Sequence, residues 1–134
     1  MATIADIEGI GPVFAEKLAA AGVNTVESLL EQAGAKAGRV SLAAATGIDE
    51  SSILTWVNHA DLYRISGIGS EFSQLLEATG VDTVPELATR NAENLYAALQ
   101  AKNEQSHLVR QLPSAAQVEG FIAQAGSLGR KVSH

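Results

Sequence analysis

Few residues of this chain have the type and spacing that enzyme chemistry requires. His59 lies two residues before Asp61, as a general base with a carboxylate partner would, but residues two apart on a helix do not face each other. We therefore interpret His59 as a surface or interface histidine. His107 and His134 have no companion ligand at metal-binding spacing. The sequence thus predicts neither catalytic residues nor a metal site.

The glycine and serine motifs of common enzyme classes are also absent. The sequence has no Gly-x-Ser-x-Gly nucleophile elbow, no Gly-x-x-x-x-Gly-Lys-Ser/Thr phosphate loop and no Rossmann glycine pattern after a strand. Its two paired-glycine motifs, Gly9-Ile10-Gly11 and Gly67-Ile68-Gly69, join predicted helices, which is the wrong context for a dinucleotide. We predict that the protein is not an enzyme and holds no cofactor.

The composition favours a helical protein with an aliphatic core. Hydrophobic residues make up 46% of the 134 residues and aromatic residues only 4%, so many small side chains must pack closely, as helices allow. The chain has no cysteine, which excludes disulfides and thiolate chemistry. Its first residues lack the features of a signal peptide, and no apolar run approaches the roughly 18 residues that span a bilayer. We therefore expect a cytoplasmic protein without a membrane segment.

The charge of the chain argues against a partner that carries phosphates. The formal net charge is −6 at pH 7, and the acidic residues are spread over both halves of the sequence. Binding to nucleic acid depends on Lys and Arg, which displace counterions from the phosphates. A protein partner therefore fits the overall charge better than a nucleic acid does.

The strongest signal in the sequence is an internal repeat. Residues 7–29, IEGIGPVFAEKLAAAGVNTVESL, align without a gap with residues 65–87, ISGIGSEFSQLLEATGVDTVPEL, and 12 of the 23 positions are identical. The identities include both Gly-Ile-Gly motifs, which a similarity between two alanine-rich helices would not reproduce. The offset then grows from 58 to 65, an insertion of seven residues, and Trp56 aligns with Phe121. The chain is therefore a duplicated helical unit.

The repeat divides the chain into regular parts. We predict a single domain over residues 1–128, with a first unit at 1–60 and a second unit at 61–128 that contains the insertion near 101–111. Residues 129–134 form a short basic tail that we expect to be frayed.

Local signals place several helix ends within these units. Thr25 is a good N-cap residue, and in the second unit the run Thr83-Val84-Pro85-Glu86 predicts a full capping box. A helix of about four turns begins at Asp49 and joins the two units, with Trp56 and Tyr63 on one side of it.

Residues 4–18 resemble the helix-hairpin-helix signature, in which apolar positions precede Gly-Ile-Gly and a small residue and a leucine follow it. Residues 62–76 are a second match, with Ser73 in place of the small Ala15. Two such units joined by a helix resemble the double helix-hairpin-helix domain, an all-α, SAM-like fold in which duplicated units pack as one compact domain. The whole chain is also similar to an uncharacterised bacterial family, a domain of unknown function of about this length.

The resemblance implies a way to bind DNA. In the DNA-binding members of the wider superfamily, backbone N–H groups of the turn and the following helix N-terminus point at a phosphate. The resemblance also implies a monovalent cation held by hairpin carbonyls. The corresponding hairpin residues, which would contact a phosphate or an ion, are Gly9, Ile10, Gly11, Gly67, Ile68 and Gly69.

The residues after the two turns depart from that pattern. DNA-binding hairpins supply basic or small polar residues there, whereas this chain has Pro12-Val13-Phe14 after the first turn and Ser70-Glu71-Phe72 after the second. Glu71 would repel a phosphate, and Glu8 flanks the first turn with the same charge. The opposing alternative is a local basic patch formed by Lys17, Lys36, Arg39 and Arg64.

Two functions stay open at this point. The first is a non-enzymatic binding or adaptor module that binds a protein partner or a second copy of itself. Trp56 and Tyr63 are its candidate contact residues. The alternative is that these two side chains share one side of the joining helix because they pack in the core, as a core seam. The alternative is sequence-nonspecific binding of nucleic acid through the two Gly-Ile-Gly hairpins.

Overall fold

The computed structural model describes residues 3–7 and 9–133, most of which lie in helices. These residues form a short 3₁₀-helix, Ile4–Asp6, and eight α-helices without a strand, so the predicted all-α class is confirmed. The α-helices are α1 (Pro12–Ala20), α2 (Val26–Ala33), α3 (Lys36–Thr46), α4 (Glu50–Leu62), α5 (Ser70–Ala78), α6 (Val84–Ala88), α7 (Ala92–Ser106) and α8 (Ala115–Ser127). No helix in this part of the chain is both long enough and apolar enough to cross a membrane. Glu8, which flanks the first glycine motif, and His134 lie outside the described residues.

The described chain divides into two compact units, of which the first comprises Met1–Asp61 together with Lys131–His134. In this unit, α1 and α2 both pack against α3. Its buried hydrophobic side chains are aliphatic apart from Trp56 and include Ile7, Leu18, Val23, Leu29 and Ile53. Small and branched aliphatic groups therefore build this core, as the composition predicts.

The second unit comprises Leu62–Arg130. Helices α6 and α7 both pack against α8, and α5 packs against α7. One hydrophobic cluster fills the space between them and includes Ile65, Leu75, Leu87, Leu99 and Phe121.

The helix caps agree with one prediction and contradict another. Thr25 caps α2 as predicted, since its Oγ1 accepts from the Ser28 N–H at 3.0 Å and the Ser28 Oγ accepts from the Thr25 N–H at 3.0 Å. The predicted capping box of Thr83 is wrong, because within the described residues the Thr83 side chain makes no cap hydrogen bond. The Glu86 carboxylate instead accepts two hydrogen bonds from Arg90, at 2.8 and 3.2 Å.

The insertion in the second unit lengthens a helix and orders the loop after it. Helix α7 has 15 residues, whereas α3, its counterpart in the first unit, has 11. His107 ends α7 with a left-handed backbone, φ +51°. The Asn103 side chain then holds the loop, because its Oδ1 accepts from the Val109 N–H at 3.0 Å and its Nδ2 donates to the Val109 carbonyl at 3.1 Å.

The C-terminal tail packs on the first unit, so the prediction of a frayed end is wrong for residues 131–133. Val132 is 1% exposed and belongs to the core of this unit. The Ser133 N–H donates to the Gly34 carbonyl at 2.9 Å, and Arg39 Nη2 donates to the Ser133 carbonyl at 2.6 Å. The charges of the tail suggested a solvated segment, but one aliphatic side chain and two main-chain hydrogen bonds fix it in place.

Candidate functional site

Each Gly-Ile-Gly motif forms a tight turn that leads into a helix. In the first motif, Gly9 has a left-handed backbone, φ +95°, and the Ile10 N–H donates to the Ile7 carbonyl at 3.2 Å. Gly11 is extended and is the N-cap of α1. The Ile10 side chain is buried, so it anchors the turn in the core of the first unit.

The second motif has the same backbone geometry. Gly67 has φ +95°, the Ile68 N–H donates to the Ile65 carbonyl at 3.2 Å, and Gly69 is the N-cap of α5. Ile68 is buried in the core of the second unit. Because the N–H of the central isoleucine already donates inside each turn, Ile10 and Ile68 hold the turns and do not offer that group to a ligand.

An aromatic side chain lies beside the first glycine of each turn. A Cβ placed on Gly9 would lie 3.3 Å from the indole Nε1 of Trp56, and one placed on Gly67 would lie 3.0 Å from Cε1 of Phe121. Both glycines also have a positive φ, where a side chain would strain the backbone. The turn and its aromatic support therefore require glycine at both positions.

The second glycine of each turn faces solvent. Gly11 and Gly69 are exposed, and among the described residues no atom lies within 4 Å of a Cβ built at either position. Their extended backbone is one that any residue can adopt. At these two positions another molecule can approach the backbone at the start of α1 and α5.

The first turn presents an apolar surface at the start of α1. Pro12 is exposed, Val13 is 65% exposed and Phe14 is 37% exposed. The Phe14 ring packs on Trp56 with a centroid distance of 5.2 Å and an interplanar angle of 54°. Residues 12–14, which we call the apolar tip, therefore combine exposed apolar groups with a ring that is held on its inner side.

The second turn presents polar groups, Ser70 and Glu71, in place of Pro12 and Val13. Glu71 is exposed at the start of α5, and the half-buried Phe72 has its ring centroid 6.2 Å from that of Phe121. An open depression beside this turn is lined by Gly67, Gly69, Ser70, Glu71 and Phe72. The two turns thus share a backbone and differ in the chemistry of their exposed side chains.

The aromatic residues predicted on the joining helix lie mostly inside the protein. Trp56 is 4% exposed, which favours the core seam over a contact with a partner. Tyr63 follows the end of α4 and is half-buried. Sequence reasoning did not identify Val13 as a contact residue, although Val13 shares a helix face with the exposed Lys17 and not with the buried Leu18.

The four basic residues considered as a patch have separate structural roles. Arg39 is 2% exposed and donates to backbone carbonyls. Lys36 pairs with the Glu50 carboxylate at 2.9 Å. Arg64 donates to a backbone carbonyl at 2.7 Å, and Lys17 is exposed on α1. Because Arg39 is buried and its guanidinium is used by backbone carbonyls, the four residues do not form one exposed basic patch, and this alternative is wrong.

The structure also corrects the interpretation of His59. The sequence placed this residue at the surface or an interface, yet His59 is buried, and Asp61 on the same helix is fully buried. Both residues take part in interactions within the chain. Among the described residues, no three His, Cys, Asp or Glu side chains lie where together they would hold a metal ion.

A small apolar cavity lies among the described side chains of the second unit. Its volume is about 10 Å³, which is roughly the space of one water molecule. The described side chains that line it are all apolar, so a water molecule would find no hydrogen-bond partner there: Phe72, Leu75, Leu76, Leu95, Leu99, Pro113, Val118 and Phe121.

The described residues form an all-helical protein in which one Gly-Ile-Gly turn in each unit leads into an α-helix. The chain belongs to the family described as "Domain of unknown function (DUF4332)", which matches residues 8–128. This match includes both glycine turns and ends before the tail. No curated protein and no solved structure matches the chain.

Proposed function

We propose that this chain is a non-enzymatic protein-binding module built from two helix-hairpin-helix units, with the apolar tip as its contact surface. The observation that carries the proposal is the exposure of Val13 and Phe14 at the first turn. Exposed apolar groups that cluster on one surface are typical of interaction sites. A protein partner, including a second copy of this chain, would bury them.

The packing behind the apolar tip favours a specific contact. Phe14 lies against the buried Trp56, so the exposed part of its ring is held in one place. A partner that covers Phe14 therefore restricts little additional side-chain motion, which lowers the entropic cost of binding. Aromatic side chains in this situation are typical of the residues that dominate binding energy.

The difference between the two turns supports a protein partner over a phosphate. Val13 in the first unit corresponds to Glu71 in the second. Two turns with the same backbone geometry therefore present an apolar side chain in the first unit and a carboxylate in the second. Glu71 lies in the first turn of α5, where its charge interacts favourably with the helix dipole and competes with any anion. Neither turn has a basic residue in the three positions after its second glycine, and affinity for phosphates depends on basic residues.

Site-specific photo-cross-linking on the full chain tests the proposal. With a photoreactive amino acid at the exposed Lys17, one helical turn after Val13, we expect a discrete protein adduct in cell extract, or a cross-linked dimer. Adding Val13→Asp is expected to lower the adduct yield about tenfold, because a carboxylate would then have to be buried at the contact.

The matched control carries the photoreactive group at Glu93, an exposed residue at the start of α7. An adduct of the same pattern from Glu93 would mean that the cross-linking is nonspecific. A yield from position 17 that does not respond to Val13→Asp would count against the apolar tip as the contact surface.

The exposure of Gly11 and Gly69 favours a second candidate function, sequence-nonspecific binding of nucleic acid through the two hairpins. Each glycine leaves the backbone at a helix N-terminus open to a phosphate.

Anisotropy of fluorescent double- and single-stranded DNA, from low to physiological salt, tests this second candidate. The control variant carries Gly11→Ala and Gly69→Ala, which we expect to fold normally because the described residues leave space for both methyl groups. Saturable binding that weakens with salt and requires both glycines would support this function. No binding at low salt would contradict it, and that is the result we expect.

A further inference from the structure

We propose that the first unit contains a binding site for an extended peptide segment, and that the chain's own residues 131–133 fill it. The site binds the main chain of Ser133 and the aliphatic side chain of Val132, the residue before it. It therefore accepts the same segment from a separate peptide when the chain's own segment is displaced. This site is separate from the apolar tip and does not depend on the function proposed above.

The main chain of Ser133 is bound through both of its polar groups. Its N–H donates to the Gly34 carbonyl at 2.9 Å, and its carbonyl accepts from Arg39 Nη2 at 2.6 Å. Ser133 itself is exposed. Main-chain hydrogen bonds of this kind hold an extended peptide without regard to side-chain identity. Position 133 therefore contributes affinity without sequence preference.

The sequence preference of the site comes from Val132. This residue is 1% exposed, while Lys131 and Ser133 on either side are exposed. Such alternation is the pattern of an extended segment that lays one face on a surface. The position that receives Val132 accepts an aliphatic side chain and excludes a charged one, because a buried charge without a partner is costly.

The residues that contact the segment, Gly34 and Arg39, belong to the first unit and are held in place by contacts within that unit. A Cβ on Gly34 would lie 2.5 Å from the Lys131 carbonyl oxygen, so only glycine lets the segment approach. Arg39 Nη1 donates to the carbonyls of Ala33 and Gly34 at 3.1 and 2.8 Å. These bonds hold the guanidinium at the negative end of the α2 dipole, with Nη2 on Ser133. The site is therefore preorganised for the segment.

Residues 131–133 fill the site in preference to a separate peptide because they are covalently tethered to it. A short peptide held by one aliphatic side chain and two main-chain hydrogen bonds binds weakly, whereas a tethered segment has an effective concentration in the millimolar range. The wild-type chain therefore keeps the site closed to a free peptide at micromolar concentration. A substitution that removes Val132 from the core, and leaves Gly34 and Arg39 unchanged, opens it.

Binding of a labelled peptide to the full chain tests this proposal. The probe is a fluorescent peptide of residues 128–134 with Arg130 and Lys131 replaced by glutamine, so that the acidic protein does not attract its charges. We expect saturable binding to the full-length Val132→Asp chain and about tenfold weaker binding to the wild type, where the tethered segment competes. The same peptide carrying Val132→Asp is the matched control, and we expect it not to bind.

Two results would overturn the proposal: no binding by a Val132→Asp chain whose helical circular dichroism is intact, or equal binding of the two peptides. If the Val132→Asp chain does not fold, the wild-type chain provides the measurement. At about 1 mM, the probe is then expected to displace the tethered segment and so to speed tryptic cleavage after Lys131. The control peptide is expected to leave the cleavage rate unchanged. A cleavage rate that the probe leaves unchanged would overturn the proposal in that case.

Discussion

Replacement of Gly38 by alanine is expected to lower the free energy of unfolding by about 3 kcal/mol or more. Gly38 lies in α3 where this helix packs against α2, and a Cβ there would lie 1.9 Å from the carbonyl oxygen of Gln32. The next nearest atoms are the Gln32 carbonyl carbon at 3.0 Å and the Ala33 Cα at 3.5 Å. All three are backbone atoms, so no side-chain rotation relieves the overlap. The two helices must separate, which opens the core of the first unit.

Gly120→Ala is the matched control for this prediction. Gly120 lies within α8 and is exposed, and among the described residues no atom lies within 4 Å of a Cβ built there. Alanine favours the helix over glycine, so this variant is expected to be more stable than the wild type by about 0.5–1 kcal/mol. Urea denaturation followed by circular dichroism measures both variants. A Gly38→Ala chain of wild-type stability would contradict the close packing of α2 and α3.

The second large effect is expected from Arg39→Met, which we expect to lower the free energy of unfolding by about 3 kcal/mol. Arg39 donates to three backbone carbonyls at 3.1, 2.8 and 2.6 Å. Methionine fills much of the same space but leaves these carbonyls without their charged donor. Each such hydrogen bond contributes about 1.5–3 kcal/mol, and the sum is partly offset because a charge no longer has to be buried.

Lys36→Met is the control for Arg39→Met, because it removes the same charge one helical turn earlier on α3. The Lys36 side chain is 62% exposed and its partner is the Glu50 carboxylate at 2.9 Å. A surface ion pair of this kind contributes less than about 1 kcal/mol, so this variant should unfold close to the wild type. Urea denaturation at two salt concentrations separates the two effects. Equal stability of the two variants would mean that the cost of burying the Arg39 charge cancels the gain from its hydrogen bonds.

The helical class and the positions of the two turns are predictable from local signals. A Gly-Ile-Gly motif that recurs at an offset of 58 residues marks both turns, and Gly9 and Gly67 both have φ +95°. The cap at Thr25 is equally local, because it depends only on Ser28 three residues later. The capping box of Thr83 was wrong because Arg90 takes the Glu86 carboxylate, and a rule for caps does not weigh competing partners.

The contacts that the sequence does not predict are those between residues far apart in the chain. The bond from Arg39 to Ser133 joins residues separated by 94 positions, and no local pattern distinguishes this arginine from the exposed Lys36. Val132 is one aliphatic residue between polar neighbours, so it shows no periodicity. At the candidate site, helical spacing puts Val13 on the same face as Lys17, but the degree to which its side chain is exposed is seen only in the structure.

The return of the tail to the first unit has a consequence for the order in which the chain folds during translation. The second unit is contiguous, Leu62–Arg130, so all of its residues have been synthesised before the segment that completes the first unit. The first unit leaves the ribosome earlier, yet its contacts at Gly34 and Arg39 are made by residues added after the whole second unit. The last contacts of the N-terminal unit therefore form only after the whole second unit has been synthesised.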